Sequence, residues 1–557
     1  MKNVLIIGSG ISGMTAAISC AERGMHAILV SPFMSERSQS VMAEGGINAA
    51  LDNMGEGDSV SRHIEDTLKG GNMLAGEQAV TGLCERAPDI IRWLQKLGTV
   101  FSLKEDGKID QRAFGGQSCR RTCYCGASTG KQIVSALIME TRRYEAQGLI
   151  ERRVWNDFHS CLIRDGKCYG ALIFIESTAQ LEPVYADAVI MATGGQNAVF
   201  GKTTGSTQCD GYAAGKLFMQ GAELKNLEFI QYHPTTMETS QKKMLISESA
   251  RGEGGRLYYE ENIGGEVKRV YFMEDKYGEK GNLMPRDVVS RCIYNVDRQV
   301  YLDLTFLGDK IDRKIPEVRD VCMKYGGIDV HKESIPVTPS VHFFMGGLAV
   351  DDDHMTNIDG LYAVGECASR YHGANRLGGN STLAAVYSGM KAAEAIDRKI
   401  SSDSAQTDAR KEAERPDFTE YIETERAKLF GLFESESRFP VMYIRDMTAE
   451  TMNKKLGIVR DEENLSKGIE DLSYYIDMAG KINYDKSVLP YFNYSVQAIL
   501  VLAKATLICA KERRESRGAH YRSDYPETIE DMRAATIISY DDGAFNIRLD
   551  REGRYEN

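Results

Sequence analysis

At 557 residues, 42% hydrophobic and 27% charged, the chain has the balance of an ordinary globular protein with room for roughly two to four domains. A net charge of −12 argues against nucleic acid and acidic lipid surfaces as main partners, yet leaves room for a local cationic cleft. Twelve cysteines scattered along the chain suit a reducing compartment better than a disulfide framework.

The N-terminal apolar run VLII gives way at once to glycines, so it is too short for the core of a signal peptide. No stretch reads as the ~20 apolar residues that span a bilayer. A cytoplasmic location is expected, with any membrane attachment supplied by another subunit. From Asn3 to about Ser31 the pattern is strand, Gly-rich turn, helix, strand, a βαβ unit of the length used for dinucleotides. Strand-like runs ending in glycine return at DAVIMATGG (187–195) and GLYAVGECA (360–368). Between them, roughly 226–344, the texture changes to polar loops and charged segments.

The expected fold class is α/β: a Rossmann-like FAD-binding domain interrupted by an α+β capping domain and followed by a helical domain. The boundaries read as 1–225 and 345–400 for the two parts of the FAD-binding domain and 226–344 for the cap. Residues 401–417 then read as a polar linker, 418–530 as a helical domain, and 531–557 as a small C-terminal segment that alternates like a strand pair.

GSGISG places Gly8, Gly10 and Gly13 in the dinucleotide fingerprint. The first glycine allows the tight turn, the second lets the backbone approach a pyrophosphate, and the third lets helix and strand pack closely. Phosphates would sit on the helix N-terminus, where free N–H groups favour negative charge. An NAD fold expects an acid at the end of the second strand, where Ser31 stands. No second fingerprint follows, so one FAD fits better than a separate NAD domain. In the inserted region, FIQYHPTT, LISESARGEGG, MPRDVVSR and SVHFFMGG carry histidines and arginines beside short turns. Singly, His233 and His342 read as structural and Arg251, Arg286 and Arg376 as surface cations. Converging in one cleft, they would bind a small di-anion, because guanidinium matches carboxylate bidentately.

Taken in order, HPT, ExxRGEGG, PRDxxSR, HxxMGG, GEC and HGANRLGGNS resemble the flavoprotein subunit of the fumarate reductase and succinate dehydrogenase family. The resemblance runs from residue 1 to about 400 and returns at ERRESRGAH (512–520). It implies a substrate lying between the flavin ring and the cap. His342 and Arg376 would grip one carboxylate of fumarate, and His233, Ser247 and Glu248 would surround the other. Phe114 would lean on the carbon skeleton. FAD would be held by Gly8, Gly10, Gly13, Ser31, Ser38, Gln39, Gly45, Gly46, Thr193, Gly194, Asp210, Glu366, Ser381 and Leu383. Hydride would pass from flavin N5 to one alkene carbon, giving succinate. The proton for the other carbon would come from Arg286, resupplied through Glu248 and Arg251. A second reading has Arg286 only stabilise negative charge as it develops. No metal site is implied.

Two departures stand out. Membrane-bound relatives carry a histidine, joined covalently to the flavin, where this chain has Gln39. An amide cannot form that link, so FAD is expected to be non-covalent and fumarate reduction to be the favoured direction. In CRRTCYCG (119–126), the spacing C-x3-C-x-C matches none of the usual iron–sulfur runs, so Cys119, Cys123 and Cys125 are expected as free thiols beside the cleft. The resemblance also implies an iron–sulfur partner protein. L-aspartate oxidase and reductases of other acrylates are the alternatives.

Overall fold

The computed structural model describes residues 2–126, 128–240, 242–406, 415–434, 440–481, 485, 488–551 and 555. The VLII run forms the middle of a five-stranded parallel sheet. Its order is Leu361–Ala363, Ala188–Met191, Asn3–Ile7, His26–Ser31, Ile150–Val154. Val4 to Ile7 are buried on both faces, which is why the strand reads as an unbroken apolar run and not as an alternation. Helix Ile11–Glu22 makes the crossover to His26–Ser31. Gly8 sits at φ +110, and a Cβ there would lie 2.2 Å from the Ala192 carbonyl oxygen. A Cβ on Gly13 would lie 1.8 Å from the carbonyl of Gly8. Both glycines are therefore required by the close crossing of turn, helix and neighbouring strand. Beside this sheet, Asn156–Arg164, Lys167–Ile175 and Gln180–Tyr185 form an antiparallel meander.

The inserted region builds its own six-stranded antiparallel sheet around a separate core that includes Ile246, Leu257, Val289, Val300 and Val337. Its central pair, Ile230–Glu238 with Ile335–Phe344, has register shifts at Gln231/Tyr232 and at His233/Thr236. Pro234 interrupts the ladder there, as a proline inside a strand does. The irregular stretch turns Gln231 and His233 toward the FAD-binding domain.

Helix Asn380–Gln406 extends through the first six residues of the segment expected as a linker; 407–414 of that segment lie outside the described residues. Helices Thr419–Glu434, Val441–Thr451, Glu462–Ala479 and Pro490–Glu512 follow. The last corrects an expectation: by length and composition it is apolar enough to cross a membrane. Within its most apolar window 72% is buried in the protein, and Val496, Leu500, Ala503 and Leu507 belong to the main core. Its hydrophobicity is therefore spent on the protein interior.

The terminal strands Ala535–Asp541 and Ala544–Asp550 pair as read from the alternation. They do not stand apart, because Ile537 and Ile538 pair with Lys225 and Leu224 and extend a mixed sheet of the FAD-binding domain. A buried ion network locks this junction. Arg513 donates to Glu228 at 2.5 Å and to Glu515 at 2.9 Å, and Arg517 donates to Glu515 at 2.8 Å. Glu228, Arg513 and Glu515 have no exposed side-chain surface. Removing one partner of such a network strands the other in low dielectric. Arg513→Ala is expected to cost about 3–5 kcal/mol, seen as a lowered midpoint of chemical denaturation.

Candidate active site

A cavity of about 440 Å³ runs from the N-terminus of helix Ile11–Glu22 to the underside of the cap. At the helix end it is walled by Gly8, Gly10 and Ser31, and farther on by Ser38, Gln39, Gly45 and Gly46. Thr193, Gly194, Asp210, Glu366 and Ser381 complete that half. The wall fits a dinucleotide. Gly10 offers the helix no side-chain cap, and a Cβ on it would meet only Ser40 and Ser38 within 4 Å. The buried Ser38 hydroxyl has no protein partner. The Ile11 N–H donates to the Ser40 hydroxyl at 3.1 Å, and a pyrophosphate against this helix end would find the Ser38 hydroxyl and a favourable dipole.

Gly13 shapes the turn from behind and does not line the cavity. Leu383 is a correction: its side chain is fully buried in the core beside the Rossmann sheet, while Ser381, Thr382, Ala384 and Ala385 line the cavity. On this helix Leu383 takes the face turned to the core. Gln39 Oε1 accepts from the Ser206 N–H at 2.6 Å. Glu366 accepts from the Phe344 N–H at 3.1 Å, and burial pushes its carboxyl up to about 7. Asp210 is held from the helical domain, by Tyr491 at 2.8 Å and Arg445 at 2.9 Å. Neither partner was foreseen in the sequence, since nothing local links residues so far apart.

At the cap end the cavity is lined by Phe114, His233, Ser247, Glu248, Arg286, His342 and Arg376. Pro285 precedes helix Arg286–Tyr294, so Arg286 is its first residue. Arg286 grips Glu248 with Nε at 2.8 Å and Nη2 at 2.7 Å. Arg251 Nη2 stands 3.7 Å from the other oxygen of the same carboxylate. The N–H of Gly115, from the FAD-binding domain, donates to Glu248 at 2.9 Å. Burial pushes the Glu248 carboxyl up, but Arg286 and Arg251 outweigh it and hold it down at about 2.

Arg376 lies 4.3 Å above the Phe343 ring and donates to Ser381 at 2.8 Å. Its Nε is buried without a protein partner. Burial and the nearby Arg286 bring it down to about 9. The glycines after it serve packing: a Cβ on Gly378 would meet Phe114 at 2.9 Å, and one on Gly379, at φ +86, would meet Asn48 at 2.1 Å.

The rings of His233 and His342 lie 5.3 Å apart. His342 Nδ1 bonds Thr204 at 2.9 Å, and His233 Nδ1 lies 3.0 Å from the Thr235 carbonyl; each Nε2 is left free of these contacts. Burial and the surrounding guanidinium groups hold both imidazoles well below their ordinary range, so they are neutral at pH 7. Ser247 accepts from the hydroxyl of Ser249 at 2.9 Å.

Gln231 is the residue that sequence reasoning passed over. Fully buried, its Oε1 accepts from Arg286 at 3.1 Å and from Arg376 at 3.0 Å. Its amide nitrogen donates to Asn375 Oδ1 and to the Arg376 carbonyl, both at 2.8 Å. Its signal was faint: a polar residue in an apolar run, two places before His233 and so on the same face of the strand.

The three cysteines depart from expectation in place. Cys123 and Cys125 lie in the core beside the Rossmann sheet, and Cys119 accepts from Arg62 at 3.4 Å. None of them lines the cavity. Among the described residues no three His, Cys, Asp or Glu side chains converge as a metal site.

Residues 3–382 match the FAD binding domain family, and residues 445–553 match the fumarate reductase flavoprotein C-terminal family. The succinate dehydrogenase flavoprotein subunit of Bacillus subtilis is 38% identical over 97% of this chain and 94% of its own length. The chain belongs to the fumarate reductase and succinate dehydrogenase flavoprotein family. The matching component of the CoM/CoB fumarate reductase of Methanothermobacter marburgensis is 34% identical, covering 96% of this chain and 97% of its own length. Among solved structures, the flavoprotein of Escherichia coli quinol fumarate reductase superposes with a TM-score of 0.85 at 29% identity, covering 98% of this chain and 96% of that one. The protein is a flavoprotein oxidoreductase with FAD as its cofactor.

Because Gln231 is neutral, the two arginines it joins keep their full charge for a ligand. Gln231→Glu places a carboxylate between them. Binding of malonate, a dicarboxylate probe read from the flavin absorbance, is expected to weaken about tenfold or more.

Proposed function

We propose that this flavoprotein reduces fumarate to succinate, with electrons delivered by an iron–sulfur partner protein that also provides any membrane attachment. The observation that carries the reading is the meeting of Arg286, Arg376, His233 and His342 on one buried wall, with Glu248 already paired to Arg286. Such a wall favours a small ligand with two negative ends.

Arg376, through its unpartnered Nε, and His342 hold one carboxylate. His233 and Ser247, beside Glu248, hold the other. Phe114 closes the apolar side and excludes water from the carbon skeleton. Bound FAD supplies the two-electron, hydride-level chemistry. Arg286 presents an N–H to the carbon that must gain a proton, and Glu248 and Arg251 form the route by which that proton is replaced. The low pKa of Glu248 makes it a transient carrier rather than a store. Holding the reactants in register contributes several kcal/mol by itself, on the order of that seen for well-oriented groups.

Arg286→Ala is expected to lower viologen-linked fumarate reduction by about 10²–10⁴-fold with FAD content unchanged. Activity within about threefold of the parent, well short of any general acid's usual contribution, would remove Arg286 from the chemistry. Oxidation of the reduced flavin by fumarate, compared with reduction of the oxidised flavin by L-aspartate, separates the proposal from an aspartate oxidase.

With Gln39 at the position of the linking histidine, the FAD is held non-covalently. Acid precipitation of the holoprotein is expected to leave all the flavin in the supernatant as FAD. Flavin that stays with the precipitate contradicts this.

A further inference from the structure

A dinucleotide fold usually carries an acid at the end of its second strand to read the adenosine half of the cofactor. Ser31 stands there instead, and its hydroxyl is turned back on its own backbone, donating to the Phe33 carbonyl at 2.6 Å. The neighbouring strand supplies what is missing. Ser31 pairs with Val154; just beyond, the chain turns at Trp155, which has φ +65, and enters the meander at Asn156. Asp157 pairs with Phe174, and Glu176 lies two residues past Phe174, on the same face and diagonal to Asp157. Both carboxyl groups line the cavity beyond Ser31, as does Phe33, whose ring meets Trp155 edge-on at 6.1 Å.

Asp157 is only 4% exposed, its Oδ2 meets no protein donor, and the Glu176 carboxyl lies within hydrogen-bonding reach of its side chain. Of the tyrosine hydroxyls around it, Tyr212 donates to the His159 carbonyl at 2.6 Å and Tyr491 to Asp210 at 2.8 Å, while the buried Tyr494 hydroxyl is itself without a partner. An orphan carboxyl oxygen inside a cavity costs free energy unless a ligand satisfies it.

We propose that Asp157 and Glu176 together read the amino edge of the adenine ring of FAD, a recognition site displaced from the end of the second strand to the adjoining meander. The chemistry matches. Burial and the adjacent Glu176 push Asp157 up to about 8, so at neutral pH its carboxyl carries a proton. Its O–H is donated to a ring nitrogen, and the Glu176 carboxyl beside it accepts from the exocyclic amine. The proton on Asp157 also keeps surplus negative charge away from the pyrophosphate.

The test compares three flavins on the flavin-free full chain by titration calorimetry: FAD, its analogue with hypoxanthine in place of adenine, and FMN. The parent is expected to prefer FAD over the hypoxanthine analogue by about 10- to 100-fold, the cost of losing a hydrogen bond to a charged group. In Asp157→Ala and in Glu176→Ala that preference is expected to fall to within about threefold, with FMN affinity unchanged. An equal affinity of the parent for the two dinucleotides overturns the proposal, as does a preference that survives both substitutions or a parallel loss of FMN binding. Should Asp157→Ala fail to fold, the more exposed Glu176→Ala decides. The inference rests on FAD as cofactor but not on the absence of a covalent link. If acid precipitation shows a link, the same comparison is made by flavin incorporated during synthesis in a cell-free extract supplied with either dinucleotide.

Discussion

Two guanidinium groups of like charge, buried and drawn to the same amide oxygen, set the terms for the rest of this structure. In a medium of low dielectric, Arg286 and Arg376 repel strongly. They are kept together by Gln231 between them, by Glu248 on Arg286 and by the Phe343 ring beneath Arg376. Arg251 adds a third cation beside the same carboxylate. Three guanidinium groups against one ionised acid leave a surplus of two positive charges, the complement of a dicarboxylate. The neutral imidazoles follow from their burial first and from that surplus second, since neither histidine can hold a proton against both.

Much of what keeps this arrangement crosses between the cap and the FAD-binding domain. Gln231 and Arg286 come from the cap, Arg376 and Asn375 from the return of the Rossmann domain, and the Gly115 N–H from its first part. Asn375 also donates to Asp287 at 2.8 Å. The charged site is thus the interface, and opening the cap would expose uncompensated cations. The helical domain reaches the other end of the cavity through Arg445 and Tyr491 on Asp210, while the buried network around Glu228 and Arg513 holds it against the sheet. Cofactor and substrate sites are in this way fixed from three regions of the chain.

What could be read in advance was whatever has a local cause. The βαβ unit follows from an apolar run, spaced glycines and a helical periodicity within about thirty residues. The helical region and the terminal hairpin follow from periods of 3.6 and 2. The residues proposed to grip the ligand were legible only as motifs, because a resemblance brings with it the convergence that another member of the family has already solved. Leu383 shows the limit: its neighbours in sequence face the cavity, but the helix phase turns its own side chain into the core. The Pro490–Glu512 helix shows the same limit, being strongly apolar because most of it is buried in the protein.

The sequence by itself therefore determined the nucleotide fold, the interrupted order of domains and the types of side chain available for a di-anion, since each rests on neighbours along the chain. Only the tertiary structure decided that Gln231 binds both arginines, that Asp157 and Glu176 share a face beyond Ser31, and that the cysteines of CRRTCYCG lie away from the cavity. Those facts depend on strand register, on a bulge at Pro234 and on packing between residues hundreds of positions apart. No local rule of spacing encodes them, because it is the folded surroundings that bring such residues within bonding distance.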